Sequence, residues 1–134
     1  MVDEMTRVAL VGCGRWGRNL ARNFSTLGSL AAVADLDKAA AAAAANEYNV
    51  PSVTLSDILE TGSIDAVVVA TSPADHFVVA HAALLAKKHV FVEKPLALDV
   101  AEGEKLCLLS EKTNRVLMVG HLLHYHPAFQ KLQS

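Results

Sequence analysis

The sequence predicts an α/β fold: a single three-layer domain in which helices cover both faces of a doubly wound parallel sheet. Three observations indicate this fold. Short apolar segments alternate with segments of helical length, which is the order expected of parallel strands with helical crossovers. The short segments are nearly continuous runs of Val, Ala and Leu, as in strands buried on both faces. With 134 residues and 52% apolar composition, the chain can build the core of one such domain.

Six strands and five helices are predicted from these patterns. The strands lie at 7–11, 30–34, 52–54, 66–70, 89–92 and 116–119. The first helix carries Leu20, Phe24 and Leu27 at i, i+4 and i+7, which gives it one apolar face. The other helices lie at 38–48, 56–60, 77–87 and 99–114. In the last helix, Cys107 lies on the same face as Val100, seven residues earlier, and is predicted to pack in the core.

Composition and charge exclude several classes of function. A formal net charge of −2 at pH 7 leaves no basic field, so nucleic acid is not expected as a partner. No apolar run reaches the roughly 18 residues of a membrane helix. The acidic start of the chain lacks the basic and apolar regions of a signal peptide. Because two cysteines cannot build a disulfide scaffold, we expect a cytoplasmic protein with reduced thiols and no membrane partner.

A glycine-rich loop follows the first predicted strand. The segment Gly12-Cys13-Gly14-Arg15-Trp16-Gly17 fits Gly-x-Gly-x-x-Gly and opens the first helix, which is the context that this pattern needs. It indicates a dinucleotide-binding Rossmann fold. The first glycine permits a tight turn, the second lets the backbone approach a pyrophosphate, and the third lets helix and strand pack closely. Free amides at the helix start then hold the phosphates. The predicted cofactor contacts of the loop are Gly12, Gly14, Arg15, Trp16 and Gly17.

Asp35 ends the second predicted strand, 18 residues after Gly17. A carboxylate at this point accepts hydrogen bonds from ribose hydroxyls and repels a 2′-phosphate, so the predicted cofactor is NAD rather than NADP. Asp37 is predicted to cap the alanine-rich helix, and Cys13 to be a small residue near the cofactor rather than a reactive thiol. The alternative, a glycine turn that binds no ligand, requires the strand, the helix and the acid to coincide by chance.

Two further motifs stand where predicted strands end. Thr71-Ser72-Pro73, followed by His76, comes after the fourth strand, and Glu93-Lys94-Pro95 comes after the fifth. In an open parallel sheet, ligands bind in the crevice outside the carboxyl ends of the strands. Both motifs are therefore expected at the same crevice as the glycine loop. Lys94 suits acid–base work there, or the stabilisation of a developing alkoxide, and its alternative role is a solvated lysine in a turn.

In this order and spacing, the glycine loop, the Ala-Thr-Ser-Pro-x-x-His segment and Glu-Lys-Pro resemble the N-terminal half of the Gfo/Idh/MocA oxidoreductases. The resemblance implies hydride transfer with NAD, and Lys94 as the catalytic residue that meets the sugar hydroxyl losing its proton. Glu93 either orients Lys94 or contacts the nicotinamide ribose, and His76 either faces the nicotinamide half or simply begins the next helix. The cofactor contacts implied beyond the loop and Asp35 are Thr71, Ser72, Pro73, His76, Glu93, Lys94 and His121.

The end of the chain resembles the nucleotide-sugar members of that family. Gly120-His121-x-x-x-Tyr125-His126-Pro127-Ala128 is similar to the UDP-N-acetylglucosaminuronate 3-dehydrogenases, which serve the synthesis of bacterial surface polysaccharide. The substrate implied is a small nucleotide sugar oxidised at its 3-hydroxyl. Three histidines, His121, His124 and His126, lie close together, but no carboxylate or cysteine completes a site, so no metal is expected.

The resemblance also predicts the domain organisation. Residues 1–120 are predicted to form the NAD(P)-binding domain, and 121–134 to start the crossing into a C-terminal substrate domain absent from the 134 residues. The family implies a homo-oligomer for the complete enzyme, and little turnover from the cofactor half alone. Two alternatives stay open. One is a free-standing dinucleotide-binding module acting as a redox sensor or regulatory subunit, and the other is an interaction domain that kept the fold without the ligand.

Overall fold

The computed structural model describes residues 5–120 and 131, and residues 5–120 form five parallel strands joined by five helices, two of which lie between the second and third strands. The strands are β1 (Val8–Val11), β2 (Leu30–Ala34), β3 (Ala66–Val69), β4 (His89–Glu93) and β5 (Leu117–Gly120). The helices are α1 (Arg15–Thr26), α2 (Lys38–Tyr48), α3 (Leu55–Glu60), α4 (Pro73–Leu85) and α5 (Val100–Thr113). The predicted α/β class with a doubly wound parallel sheet is confirmed.

The sheet has the order β2-β1-β3-β4-β5 and every pair in it is parallel. The chain winds outward from β1 to β2, then crosses back to β3 on the other side of β1. This reversal opens a crevice at the carboxyl ends of β1 and β3, where ligands of such sheets bind. The register aligns Val11 with Val69 and Val69 with Val92, so the loops after β1, β3 and β4 leave the sheet at one level.

The third predicted strand, at 52–54, is reduced to a single bridge. Ser52 pairs with Val33 of β2, and the only ladder bonds there are from the Val33 amide to the Pro51 carbonyl and from the Val53 amide to the Val33 carbonyl. The segment is short because both of its ends have other roles. Pro51 has no N–H to donate, and Thr54 caps α3 by accepting a hydrogen bond from the Asp57 amide.

The two faces of the sheet bury separate apolar clusters. One face packs against α3, α4 and α5, with Ile58, Leu84 and Leu106 among its fully buried side chains. The other packs against α1 and α2, where the buried positions Ala21 and Ala44 allow close approach of the helices. Both clusters include the Val and Ala side chains of the central strands, which explains why those strands are apolar on both faces.

The predicted faces of two helices are corrected by the structure. Helix α1 ends at Thr26, so Leu27 lies beyond it and is exposed, whereas Leu20 and Phe24 pack against the sheet. On α5, Val100 and Cys107 do share a face, but both are exposed, so the prediction that Cys107 belongs to the core is wrong. The physical reason is that Leu106 and Leu109 form the face of α5 that packs against the sheet.

Aspartate side chains cap the starts of α2 and α5. Asp37 accepts hydrogen bonds from the amides of Ala39 and Ala40, which confirms it as the cap of α2. Asp99 caps α5 through the Glu102 amide. Side-chain caps of this kind satisfy amides that have no partner within the helix. Within the part of the chain that the structure describes, no helix is long and apolar enough to cross a membrane.

Candidate functional site

The glycine loop after β1 lies directly against the end of β3. Gly12 has φ +104°, and a Cβ placed there would lie 2.5 Å from the carbonyl carbon and oxygen of Ala70 and 2.7 Å from the Thr71 nitrogen. A Cβ on Gly17 would lie 1.9 Å from the Gly12 carbonyl oxygen. These atoms belong to the backbone and cannot swing aside. The first and third glycines are therefore required by packing, whether or not a ligand is present.

The second glycine stands apart from the other two. Gly14 is the N-cap of α1, and a Cβ placed on it would have no atom within 4 Å. No side chain caps this end of α1 and its first turn has no acidic residue. The amide groups and the positive end of the helix dipole therefore face open space, which is the arrangement that binds phosphate at helix starts.

Asp35, which follows β2, is tied to the glycine loop. Its Oδ2 accepts a hydrogen bond of 2.7 Å from the Cys13 amide, and its Oδ1 accepts one of 2.8 Å from the Asp37 amide. Two backbone donors hold the carboxylate in one orientation beside the loop. An ionised carboxylate has about four acceptor positions, so it retains capacity for ribose hydroxyls after these two bonds.

A cavity of about 850 Å³ lies in front of the loop and this acid. Its lining includes Gly12, Gly14, Asp35, Thr71 and Ser72, all predicted cofactor contacts. The volume is in the range of sites that enclose a large part of a small ligand. Arg15 and Trp16 are exposed beside it, at the start of α1, and Pro73 is exposed at the start of α4.

Several lining residues were not predicted from the sequence. Leu36 follows the acid and its side chain is 99% exposed, and Val78 on α4 is 65% exposed. Lys38 also lines the cavity, at the first position of α2. The signal for Leu36 was available, because a large apolar residue between two aspartates cannot belong to the strand core. No sequence pattern singles out Val78, since its helix is apolar on most sides.

The loop after β3 combines a helix start with an internal polar contact. Ser72 is the N-cap of α4, and its hydroxyl donates to Asp75 Oδ2 at 3.1 Å instead of capping a backbone amide. Pro73 occupies the first helical position, where a missing N–H costs nothing. Helix α4 therefore begins four residues earlier than predicted. The start of α4 lines the same cavity as the start of α1, through Ser72 and Asp75.

His76 is buried, with a side chain 1% exposed. Its Nδ1 lies 2.6 Å from the Pro95 carbonyl oxygen and its Nε2 lies 3.0 Å from the Thr71 carbonyl oxygen. The ring thus joins the loop after β3 to the loop after β4. Both ring nitrogens already have a backbone partner, so the predicted contact of His76 with a cofactor has no free polar atom in this arrangement.

Glu93, the last residue of β4, and Lys94, which follows it, lie in contrasting environments. Glu93 is buried against Gly120, where an added Cβ would lie 2.8 Å from Glu93 Oε1. Lys94 is exposed, and no described residue forms a hydrogen bond or ion pair with its ammonium group. The strand pairing sets Glu93 beside Gly120 of β5, and it brings both to the same edge of the sheet as the glycine loop. His121, the last predicted cofactor contact, lies outside the described residues.

The Cys13 thiol is held protonated by its surroundings. Burial, and then the neighbouring Asp35 carboxylate, raises the pKa of Cys13 from 9.0 to about 11. Cys107, by contrast, is exposed on α5.

We predict that Ellman's reagent at pH 8 modifies one thiol per native chain, and that the Cys107→Ser variant reacts only near pH 11 or after unfolding. Because the folded-state pKa is the raised one, the contribution of Cys13 to stability is complete below pH 9 and is lost as the pH rises through 11.

The matching Cys13→Ser variant keeps Cys107 and should react at pH 8 as fast as the parent chain. Rapid reaction of both thiols in the native parent at pH 8 would show that the glycine loop opens far more often than its packing allows.

Comparison with known proteins places the chain in a family. A profile of the oxidoreductase family with an NAD-binding Rossmann fold, GFO_IDH_MocA, matches residues 6–121. UDP-N-acetylglucosamine 3-dehydrogenase of Acidithiobacillus ferrooxidans is 34% identical over 128 residues, which cover 96% of this chain and 41% of that protein. Inositol 2-dehydrogenase of Rhizobium meliloti is 36% identical over 131 residues, covering 96% of this chain and 39% of that protein.

Solved structures agree with this placement. The A. ferrooxidans enzyme superposes with a TM-score of 0.91 at 32% identity, covering 98% of this chain and 43% of that one. The WlbA dehydrogenase of Chromobacterium violaceum, in complex with NADH and UDP-GlcNAcA, has a TM-score of 0.91 at 28% identity, covering 98% of this chain and 39% of that one. The chain spans 39–43% of the length of these two structures. Since the family profile covers nearly all of it, the chain belongs to the Gfo/Idh/MocA oxidoreductases and forms their NAD-binding Rossmann domain.

Proposed function

We propose that this chain is the cofactor half of an NAD-dependent sugar dehydrogenase, which transfers hydride between NAD and the 3-hydroxyl of a nucleotide sugar such as UDP-N-acetylglucosaminuronate. The observation that carries the proposal is the meeting of three features at one sheet edge. The open phosphate-binding turn at Gly14, the anchored carboxylate of Asp35 and the exposed Lys94 follow β1, β2 and β4, at the carboxyl ends of parallel strands of one sheet.

The residues present fit a dinucleotide. The turn at Gly14 leaves the space that a pyrophosphate needs, and Asp35 retains acceptor capacity for the adenosine ribose. Leu36 and Val78 expose apolar surface on the cavity, and burial of such surface against a purine ring is favourable. Thr71 and Ser72 would line the middle of the cofactor. Each part of an adenosine diphosphate would thus have a suitable partner: the backbone turn at Gly14 for the pyrophosphate, the Asp35 carboxylate for the ribose, and the apolar side chains of Leu36 and Val78 for the purine.

Lys94 would act as the general base and general acid of the reaction. NAD, when bound, supplies the hydride acceptor for oxidation and the hydride donor for the reverse direction. Oxidation of a secondary alcohol also releases the hydroxyl proton, and the exposed Lys94 amine takes it as general base. In the reverse direction the Lys94 ammonium returns that proton to the developing alkoxide, whose charge it also stabilises. Glu93 lies beside Lys94 in the chain and would orient it or contact the nicotinamide ribose.

The substrate would bind largely outside this chain. We propose that residues 1–120 form the cofactor domain and that 121–134 begin the crossing to a substrate domain, because the chain covers only about two fifths of its relatives. The nucleotide-sugar assignment is supported by two relatives, one named for UDP-N-acetylglucosamine and one solved with UDP-GlcNAcA. Inositol dehydrogenases at similar identity make myo-inositol the competing substrate to be assayed beside them.

The cofactor proposal is tested by titrating the single tryptophan with NADH and with NADPH. Trp16 stands exposed at the start of α1, so a dihydronicotinamide cofactor bound at the loop should quench its fluorescence. We expect saturable quenching by NADH and much weaker quenching by NADPH. The Asp35→Ala variant should bind NADH about 10- to 100-fold more weakly, since hydrogen bonds to a charged group are lost. The ratio of NADH affinity to NADPH affinity should also fall, because the repelling carboxylate is gone while Lys38 stays at the cavity as a partner for a 2′-phosphate.

The control is the Asp35→Ala/Lys38→Ala double variant, which should not gain NADPH binding. An unchanged ratio of NADH to NADPH affinity in Asp35→Ala would remove Asp35 as the selector. A chain that is folded by circular dichroism and responds to neither nucleotide would contradict the proposal that these residues suffice to bind the cofactor.

A further inference from the structure

The feature that the proposed function leaves unused is the His76 ring, buried between two loops. Its two nitrogens face carbonyl oxygens that belong to different strand ends, Thr71 after β3 and Pro95 after β4. Carbonyl oxygens only accept hydrogen bonds, so the ring contributes the donors. A neutral imidazole donates from one nitrogen and a doubly protonated ring donates from both. In either form the two edges of the ring are occupied by protein.

The two loops that His76 joins carry the two halves of the proposed site. The Thr71 backbone is in direct contact with the glycine loop, as the 2.7 Å distance from a Cβ on Gly12 to the Thr71 nitrogen shows. Pro95 directly follows Lys94, so its carbonyl position determines the path of the backbone next to the lysine. A continuous set of contacts thus runs from the Gly12 backbone to the Thr71 backbone, and through the His76 ring to the carbonyl of Pro95, the residue beside Lys94.

We propose that His76 is a positioning residue, which sets the place of Lys94 relative to the cofactor loop without contacting substrate or cofactor itself. The proposal rests on the proposed function, because it assigns to Lys94 the proton transfer described above. It differs from a cofactor contact in one measurable respect. Loss of His76 should disturb events at Lys94 while leaving the adenosine half of the site intact, since Asp35 and the glycine loop are held by their own contacts.

The test uses the protein expressed from its complete reading frame, with His76 replaced by Phe or by Asn. Phe keeps a ring without either nitrogen, and Asn keeps polarity but is too short to span both carbonyls. With UDP-N-acetylglucosaminuronate and NAD, we expect kcat to fall about 10- to 100-fold, which is the size of effect that a small misplacement of a reacting group produces. The dissociation constant for ADP-ribose should stay within about twofold.

A second readout does not depend on turnover. Reductive methylation of Lys94, measured by mass spectrometry at saturating NADH, should be suppressed in the parent and restored in both variants. His76→Gln, which retains two amide N–H groups on a longer stem, should recover part of kcat and part of the shielding. The matched control is His81→Phe, on the same helix, where the ring contacts Phe77 with centroids 5.3 Å apart and makes no hydrogen bond with a described residue. This control should behave as the parent does.

Three results would overturn the positioning role. Parent-like kcat and shielding in His76→Asn would show that the ring does not place Lys94. A rise in the ADP-ribose dissociation constant that matches the fall in kcat would show a general effect on the domain. A parent protein with neither shielding nor turnover would overturn the proposed function, and the role of His76 with it. The two proposals therefore fail in different ways. If the proposed function is wrong, the parent protein itself lacks turnover and shielding of Lys94. If only the role of His76 is wrong, the parent shows both and the His76 variants do not show the expected defect. If His76→Phe does not fold, His76→Asn decides alone.

Discussion

Replacement of Lys94 by alanine should abolish most turnover while leaving cofactor affinity nearly unchanged. Lys94 is exposed at the end of β4 and lacks a partner among the described residues, so its removal leaves no buried group unpaired and should not change the free energy of unfolding. General acid–base groups contribute about 10²- to 10⁴-fold to a rate, and a loss of that size in kcat is expected. The measurement is steady-state NADH formation by the protein from the complete reading frame.

Two further variants separate proton transfer from charge. Lys94→Arg keeps the positive charge but cannot act as a base near neutral pH, so its kcat should stay as low as that of Lys94→Ala. Lys105→Ala removes another exposed lysine, on α5, and should behave as the parent. Turnover of Lys94→Ala within a factor of about three of the parent would exclude Lys94 from the chemistry.

The second large effect separates the roles of two glycines in one loop. In Gly17→Ala the new Cβ would lie 1.9 Å from the Gly12 carbonyl oxygen, so the loop and α1 must move apart. Overpacking of this kind typically costs about 1–3 kcal/mol and sometimes more. Urea denaturation followed by circular dichroism should therefore show a lower midpoint with an unchanged slope. Any loss of cofactor binding by this variant is then measured against its unfolded fraction, which cannot bind.

Gly14→Ala is the matched variant, with the same chemical change three residues earlier. Its Cβ meets no protein atom within 4 Å, and φ at this position is −72°, which alanine adopts without strain. Its urea midpoint should stay close to that of the parent. Its NADH affinity should nevertheless fall about tenfold or more, because the Cβ occupies the space through which a pyrophosphate reaches the backbone amides.

The comparison of the two variants is decisive in both directions. Parent-like NADH affinity in Gly14→Ala would mean that the phosphates do not approach the loop at this residue. A large fall in stability in Gly14→Ala would mean that the space is filled by the protein itself.

The sequence alone determined the properties that depend on local chemistry and on repetition along the chain. The limits of α2 agree with the prediction of 38–48, because the Asp37 cap and a run of alanines are both local signals. The alternation of apolar strands with helices determined the fold class, because parallel strands can be joined only by crossovers. The spacing between the glycine loop and Asp35 was enough to predict the candidate cofactor site. Both lie in one β-α-β unit, β1-α1-β2, so their relative position depends on short-range structure.

Only the tertiary structure decided which face of a helix packs against the sheet and which loops contact each other. Val100 and Cys107 share a face, as seven-residue spacing requires, but helix periodicity does not state which face packs on the sheet, and Leu106 took that position. The segment around Ser52 has the composition of a strand, yet it is limited to one bridge at the edge of β2. The bond from His76 to Pro95 spans 19 residues, and no local pattern encodes it. Such contacts arise only when the register of β3 and β4 brings their two loops together, which is a property of the folded sheet.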